Sequence, residues 1–270
     1  MITTYDIKQQ QFSVYRTGNK DSKEVILIMG SCRSVPYLNY LNQSVGNTHL
    51  IYFIDPFNYN WDVNDKFTDY EKVISELEND ENLLSIFKST KIFIHEFYSN
   101  FGMFNCNKDS EKNIYQFGMN AEIDVTIPNF HDVFILASDF YMMDAKFKEL
   151  AKKESLSYQI LYLKQKSNSN LEKFHSNCLK SSFPEFSEYF KLNWLKKRFF
   201  CSFNHISLEY SIKIFELMND KFLKFSVNLQ ELYKIDLFSN TQVDLTDLDL
   251  QVHNYEWNEK IVNFKEKNSI

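Results

Sequence analysis

The chain has 270 residues, of which 44% are apolar and 17% aromatic, and this composition excludes a disordered protein. Five glycines and four prolines exclude collagen-like and Pro-rich classes. The net charge of -6 argues against a nucleic-acid partner, because such proteins carry a basic surplus that attracts phosphates.

The first half of the chain predicts alternating strands and helices. Continuous apolar runs predict strands buried on both faces at 24–30, 49–54, 91–97 and 132–137. Pro36, followed by an apolar stripe, predicts a helix after the first strand. Apolar residues at helical spacing predict a second helix over 69–79. This alternation is typical of an α/β protein with a doubly wound, mostly parallel sheet, as in flavodoxin-like folds.

The second half predicts mainly helices. Helical spacing recurs over 144–165, 185–197 and 207–219, with a polar break at 166–170. Ser207 is a suitable N-cap for the last of these helices. We therefore expect a sheet core over 1–140 and a helical half over 141–270, joined in one compact domain.

The four cysteines, at positions 32, 106, 178 and 201, have no CxxC spacing, so we expect free thiols and no metal site. The first residues are polar, and the longest apolar run, 25–29, is far too short to cross a bilayer. These features predict a cytoplasmic protein without a membrane span.

The turn Gly30–Ser34 is the first candidate site. A buried strand that ends in small residues before a helix offers backbone N–H groups and the positive end of a helix dipole. At that place Cys32 would have a lowered pKa and act as a nucleophile. Arg33 would hold a phosphate or stabilise charge. Two other readings stay open: Cys32 is a buried small residue, or the turn binds phosphate without chemistry.

Polar residues at other predicted boundaries complete the candidate set. The third strand ends at His95 and Glu96 with Tyr98 nearby, where imidazole and carboxylate could do acid–base work or only close the sheet edge. Asn129 and His131 precede the fourth predicted strand, and Asn204 and His205 precede a helix. Either histidine could serve Cys32 as a base from a distant part of the sequence. The GxGxxG, P-loop, HExxH and GxSxG motifs are absent.

Three segments in order resemble the WcbI-type polysaccharide biosynthesis family. Gly30-Ser-Cys-Arg is similar to its Gly-Asn-Cys-Gln turn, Ile127-Pro-Asn to its Ile-Pro-Asn segment, and Phe203-Asn-His to its late Phe-Asn-His motif. Ser31, Arg33 and Ile206 depart from that pattern.

The resemblance implies an SGNH-related fold and an acetyltransferase that uses coenzyme A and a saccharide acceptor. It implies Cys32 at the nucleophile turn, His205 with Asn204 in the late Asn-His motif, and Asn129 and His131 near the cleft. Two alternatives stay open, an SGNH-like esterase acting on a glycan and a non-catalytic glycan-binding protein. The sequence also leaves a homo-oligomer open.

Overall fold

The structure is a computed structural model that describes residues 2–7, 10–55, 78–96, 113–128, 133, 135–203 and 205–270, with side chains from residue 13 onward. The chain divides into two compact units. Unit 1 contains residues 1–127 and 215–232, and unit 2 contains residues 128–214 and 233–270.

Unit 1 is built on a six-stranded sheet. Its strands are β1 Ile2–Ile7, β2 Gln10–Gly18, β3 Val25–Met29, β4 Leu50–Asp55, β5 Thr90–Glu96 and β6 Ile123–Ile127. They are arranged in the order β1-β2-β4-β3-β5-β6. Strands β3 to β6 are parallel to their neighbours, and the β1–β2 hairpin joins β4 in antiparallel register. The fold is therefore mixed α/β with a mostly parallel central sheet.

The order in which successive strands are added to the sheet changes direction at β3. From β3 the chain continues to β4 on one side, and then returns to β5 on the other side of β3. Such a switch point leaves a crevice beyond the carboxyl ends of the two strands, where ligands of open α/β sheets bind. Here those ends are Met29 and Glu96.

Two described helices pack beside the sheet in unit 1, namely α1 Val35–Val45, which follows a single 3₁₀ turn at Cys32–Ser34, and α2 Glu81–Ser89. Pro36 lies in the first turn of α1, where its missing N–H costs nothing. The side chain of Asp80 caps α2 by accepting from the Leu83 amide at 2.9 Å. Leu83 and Phe87 pack into one buried cluster with Leu27, Met29 and Phe93 of the sheet, so α2 covers that face.

Unit 2 is mainly helical. Its elements are α3 Ala137–Met143, α4 Ala145–Lys153, α5 Leu156–Lys180, α6 Glu185–Asn193, β7 Phe200–Ser202, β8 His205–Ile206, β9 Leu245–Thr246, α9 Asp247–Val252, β10 Ile261–Val262 and α10 Phe264–Asn268. Helix α7, Leu208–Met218, runs from unit 2 into unit 1, and the short α8, Leu229–Leu232, lies in unit 1.

Aromatic rings form much of the interior of unit 2. The ring of Phe174 lies 4.7 Å from Phe190, 5.5 Å from Phe200 and 6.2 Å from Phe186, measured between centroids. The Trp194 ring stacks on Phe190 at an interplanar angle of 10°. Because the four phenylalanines are buried, many of the Phe residues that enrich this sequence are core residues.

The prediction of a fourth strand at 132–137 is wrong. The described residues of that segment form no strand, and Ala137 begins α3. The fourth parallel strand is β6, which lies at the edge of the sheet and alternates buried with half-buried residues. The apolar run at 132–137 instead buries Val133, Ile135 and Leu136 in irregular backbone. A short apolar run shows burial but does not by itself identify a strand.

Two further expectations have different outcomes. The predicted polar break at 166–170 is wrong, because α5 continues through it to Lys180. No Gly or Pro interrupts that stretch, and the buried Ser167 hydroxyl donates to the Leu163 carbonyl one turn earlier at 2.7 Å. The predicted helix at 69–79 lies outside the described residues up to position 77.

Candidate functional site

A buried carboxylate holds the turn at residues 30–34, called the Cys32 turn below. One oxygen of Glu96, Oε1, accepts from the Ser31 amide at 2.9 Å and from the Ser31 and Ser34 hydroxyls at 2.8 Å each. Because Ser31 and Ser34 stand on either side of Cys32, these three bonds fix the backbone that carries the thiol. Glu96 is the last residue of β5, so the sheet itself anchors the turn.

Gly30 makes this approach possible. A Cβ atom at this position would lie 2.2 Å from the Ser34 hydroxyl oxygen and 2.9 Å from Glu96 Oε1. Both distances are far below a van der Waals contact, so any other residue would push the carboxylate away from the turn.

Arg33 folds back onto the same carboxylate. Its Nε donates to the Ser31 hydroxyl at 2.8 Å, and its Nη2 lies 3.8 Å from Glu96 Oε2. Both side chains are nearly inaccessible to solvent. The guanidinium therefore compensates a buried charge, which leaves it poorly suited to the phosphate-binding role expected from the sequence.

The Cys32 thiol is exposed, unlike the buried thiols of Cys178 and Cys201. Its pKa is raised, chiefly by partial removal from water, while Arg33 lowers it and the carboxylates of Glu96 and Asp55 raise it. The expectation of a lowered pKa is therefore wrong. The main cause is partial removal of the thiol from water, and the nearby negative charges of Glu96 and Asp55 add to it.

The backbone amides of the turn are partly used inside it. The Ser31 amide donates to Glu96, and the Arg33 amide donates to the Ser31 hydroxyl at 3.4 Å. The Cys32 amide, by contrast, has no acceptor among the described residues. Of the backbone N–H groups of residues 31–33, only that of Cys32 is therefore available to a ligand among the described residues.

His95 lies on the opposite face of the sheet from Glu96, because successive residues of a strand alternate in direction. Its Nε2 contacts Asp124 Oδ1 at 3.0 Å and the Thr126 hydroxyl at 3.2 Å, and its ring stacks on Phe93. The Tyr115 hydroxyl donates to the same Asp124. The structure thus separates His95 from the Cys32 turn and places it in a buried, hydrogen-bonded network.

The second candidate segment, residues 202–205, connects β7 to β8 in unit 2 and is called the His205 turn below. His205 Nδ1 lies 3.3 Å from the Ser202 hydroxyl, and its ring stacks on Phe238 with centroids 4.6 Å apart. Helix α7 follows, capped as predicted by Ser207, whose hydroxyl accepts from the Tyr210 amide at 3.2 Å.

A buried carboxylate that the sequence analysis missed holds the His205 turn. Asp139 Oδ1 accepts from the Phe203 amide at 3.2 Å. Burial raises the pKa of Asp139 to about 7, and the nearby charge of Asp249 adds to the rise, whereas the Phe203 amide and Arg198 oppose it. Burial likewise raises the pKa of Asp249 to about 6.

The nearest arginine does not pair with either aspartate. Arg198 binds Glu259 with two contacts, Nε to Oε1 at 2.8 Å and Nη2 to Oε2 at 2.6 Å. A signal for Asp139 is absent from the sequence, because one Asp at a helix start is typical of an exposed position.

The remaining candidates lie outside the described residues, namely Tyr98, Asn129, His131 and Asn204. The structure therefore brings Gly30, Ser31, Arg33, Ser34 and Glu96 together with Cys32, and places His205 in the other unit. Within the described part of the chain, no group of three His, Cys, Asp or Glu could hold a metal ion. Over the same part, no helix is long and apolar enough to cross a membrane.

Neither a family model nor a curated protein matches this chain. Among solved structures it is similar to WcbI, described as a novel polysaccharide biosynthesis enzyme and solved without a disulfide bond to coenzyme A. The TM-score is 0.43, with 10% identity over 79% of this chain and 74% of that chain.

Two other structures are similar to a lesser degree. A proposed hydrolase from Rickettsia typhi has a TM-score of 0.26 and 15% identity, over 65% of this chain and 61% of that chain. MenH from S. aureus has a TM-score of 0.27 and 11% identity, over 93% of this chain and 88% of that chain. These likenesses are too weak to assign the chain to a family, and its description as a mixed α/β protein rests on its own sheet.

Proposed function

We propose that the protein is an acyltransferase that moves an acyl group, acetyl in the simplest case, from acyl-coenzyme A to a saccharide hydroxyl. The observation that carries this proposal is the exposed Cys32 thiol on a turn fixed by a buried carboxylate, beside the switch point of the sheet. We also propose that the arrangement is SGNH-like, since in that fold the nucleophile occupies the turn after the first strand.

The thiol needs a base, because its pKa is raised. In the proposed reaction His205 or His131 takes the proton from Cys32, and Sγ attacks the thioester carbonyl. The coenzyme A sulfur leaves with that proton, and the acyl group stays on Cys32. The same histidine then takes the proton of the acceptor hydroxyl, whose oxygen attacks the acyl carbon, and the proton returns to the free thiol. The Cys32 amide is the donor suited to the developing oxyanion.

The proposed reaction uses residues from both halves of the sequence. Under the proposal the 141–270 half supplies Asn204 and His205 to the site that the 1–140 half builds around Cys32, with Asn129 near the same cleft. We propose a cytoplasmic location, no metal, no nucleic-acid partner and no membrane span.

The residues of the Cys32 turn fit only one end of coenzyme A. The exposed thiol and the free Cys32 amide suit the acyl thioester. The phosphates need uncompensated positive charge, and the only arginine of the turn is already balanced by Glu96. The phosphates would therefore be held by residues beyond this turn.

The test is the intact mass of the protein after incubation with acetyl-coenzyme A. We expect one acetyl adduct on the wild-type protein and none on Cys32→Ser. Cys106→Ser is the control, because it removes a different thiol of the chain and should keep the adduct. An adduct that survives Cys32→Ser, or its absence from the wild type, would contradict the covalent route.

A further inference from the structure

Among the described residues, three buried polar atoms at or next to the Cys32 turn have no hydrogen-bond partner. They are Nη1 of Arg33, Oε2 of Glu96 and Oη of Tyr37, the last in the first turn of α1. Such atoms are uncommon, because a buried donor or acceptor that stays unpaired has lost its hydrogen bonds to water. Only two other side-chain atoms of the described residues share this condition, on Ser44 and Ser138.

Two of the three residues form an ion pair, and the third is influenced by its charge. Arg33 Nη2 lies 3.8 Å from Glu96 Oε2. The charge of Glu96 is also one cause of the raised pKa of Tyr37, after burial and the neighbouring Tyr40. Glu96 and Tyr37 are 3% and 1% exposed. The bonds of Glu96 to Ser31 and Ser34 all use Oε1, so Oε2 remains free to receive a donor.

The donor and acceptor character of these atoms selects a ligand class. Arg33 Nη1 only donates, Glu96 Oε2 only accepts as a carboxylate, and a tyrosine hydroxyl does both. A hydroxyl oxygen matches all three, because it has one proton to donate and two lone pairs. Glu96 would repel a phosphate or a carboxylate, and Arg33 would repel an ammonium group. Because the ion pair is neutral as a whole, it favours a neutral ligand.

We propose that Arg33, Tyr37 and Glu96 form a binding site for a single neutral hydroxyl oxygen beside Cys32. The three atoms have almost no exposed surface, so the site takes one oxygen and not a whole ring. Water and an alcohol share this chemistry. The claim that this site receives the acceptor hydroxyl of acyl transfer rests on the proposed function. The claim that it binds a hydroxyl oxygen does not.

Tyr37→Phe tests the site through the sign of its effect on thermal stability. If a hydroxyl oxygen is bound, this variant loses a hydrogen bond and its Tm falls by about 2–4 °C. If the Tyr37 hydroxyl is truly unpaired, its removal leaves Tm unchanged or raises it, and the proposal is overturned. Tyr210→Phe is the matched control, because the buried Tyr210 hydroxyl donates to the Pro128 carbonyl at 3.0 Å and its loss must lower Tm.

Protection of Cys32 from iodoacetamide distinguishes the two sources. If the occupant is an alcohol, methyl glucoside slows alkylation of the wild-type protein several-fold and has no effect on Tyr37→Phe. If it is water, methyl glucoside gives no protection although Tyr37→Phe lowers Tm. Clearly stronger protection by glucosamine or glucose 6-phosphate than by methyl glucoside would overturn the selection of a neutral group. Neither experiment needs turnover, so failure of the site is distinguishable from failure of acyl transfer.

Discussion

The Cys32 turn and the His205 turn use the same device in different electrostatic surroundings. In each, a buried carboxylate accepts from a backbone amide of the turn, Glu96 from Ser31 at 2.9 Å and Asp139 from Phe203 at 3.2 Å. Glu96 has Arg33 as a counter-charge at 3.8 Å. Asp139 has instead a second carboxylate, Asp249, as a neighbour.

The difference teaches that a buried carboxylate can hold a turn with a paired counter-charge or without one. Glu96 has a counter-charge within its own turn, so the geometry around Cys32 depends on an ion pair. Asp139 forms no such pair with Arg198, which binds Glu259, and burial raises the pKa of Asp139 to about 7. Changes at the two turns should therefore differ in size, and a dependence on pH is expected at the His205 turn.

The largest effect is expected from Glu96→Gln. This change leaves Arg33 buried without a counter-charge, and we expect the free energy of unfolding to fall by about 3 kcal/mol in urea titrations. Glu122→Gln is the control, because Glu122 is exposed and its 2.9 Å pair with Lys91 contributes little. Equal effects of the two variants would show that the Cys32 turn does not depend on the ion pair.

The next effect concerns pH and the His205 turn. The pKa of Asp139 is about 7 in the folded protein and about 4 in an unfolded chain, so the folded state binds a proton more tightly between these values. Stability should therefore be complete below pH 4 and fall progressively as the pH rises to 7. In Asp139→Asn this fall should be smaller. An unchanged slope would mean that Asp139 titrates normally.

A smaller loss of stability is expected when either of the two serine hydroxyls that donate to Glu96 is removed, and the two losses should differ. Ser34→Ala removes one bond, of 2.8 Å, and should cost about 1 kcal/mol of unfolding free energy. Ser31→Ala should cost more, because its hydroxyl also accepts from Arg33 Nε at 2.8 Å. Thermal denaturation of both variants measures the order, and the reverse order would contradict the role of Ser31 as the link between the two charges.

The smallest effect on stability is expected from Cys32→Ser. The thiol is exposed, so unfolding free energy should change by less than about 0.5 kcal/mol, while labelling by iodoacetamide at this position is lost. In the wild type, the raised pKa of Cys32 predicts slow alkylation at pH 7 and a steep increase above pH 9. A fast reaction at neutral pH would show that the thiolate is stabilised after all.

The parts of the sheet that the sequence predicts are those whose strands are buried on both faces. Strands β3, β4 and β5 are continuous apolar runs and were predictable for that reason. The edge strand β6 alternates, and the polar segment that forms β1 has no comparable run, so neither was identified. The placement of His95 and Glu96 on opposite faces of the sheet could have been predicted from the alternation of side chains along a strand. The role of Asp139 could not, because it depends on a contact with the Phe203 amide, 64 positions away in the chain.

The aromatic interior of unit 2 also gives the protein a natural optical label. Trp194, stacked on Phe190, and Trp257 both lie in that unit, and the third tryptophan of the chain is Trp61. In Trp61→Phe, intrinsic fluorescence would report on unit 2 alone, and a dye on Cys32 would report on unit 1. Denaturation followed by both signals would show whether the two units unfold in one transition or in two.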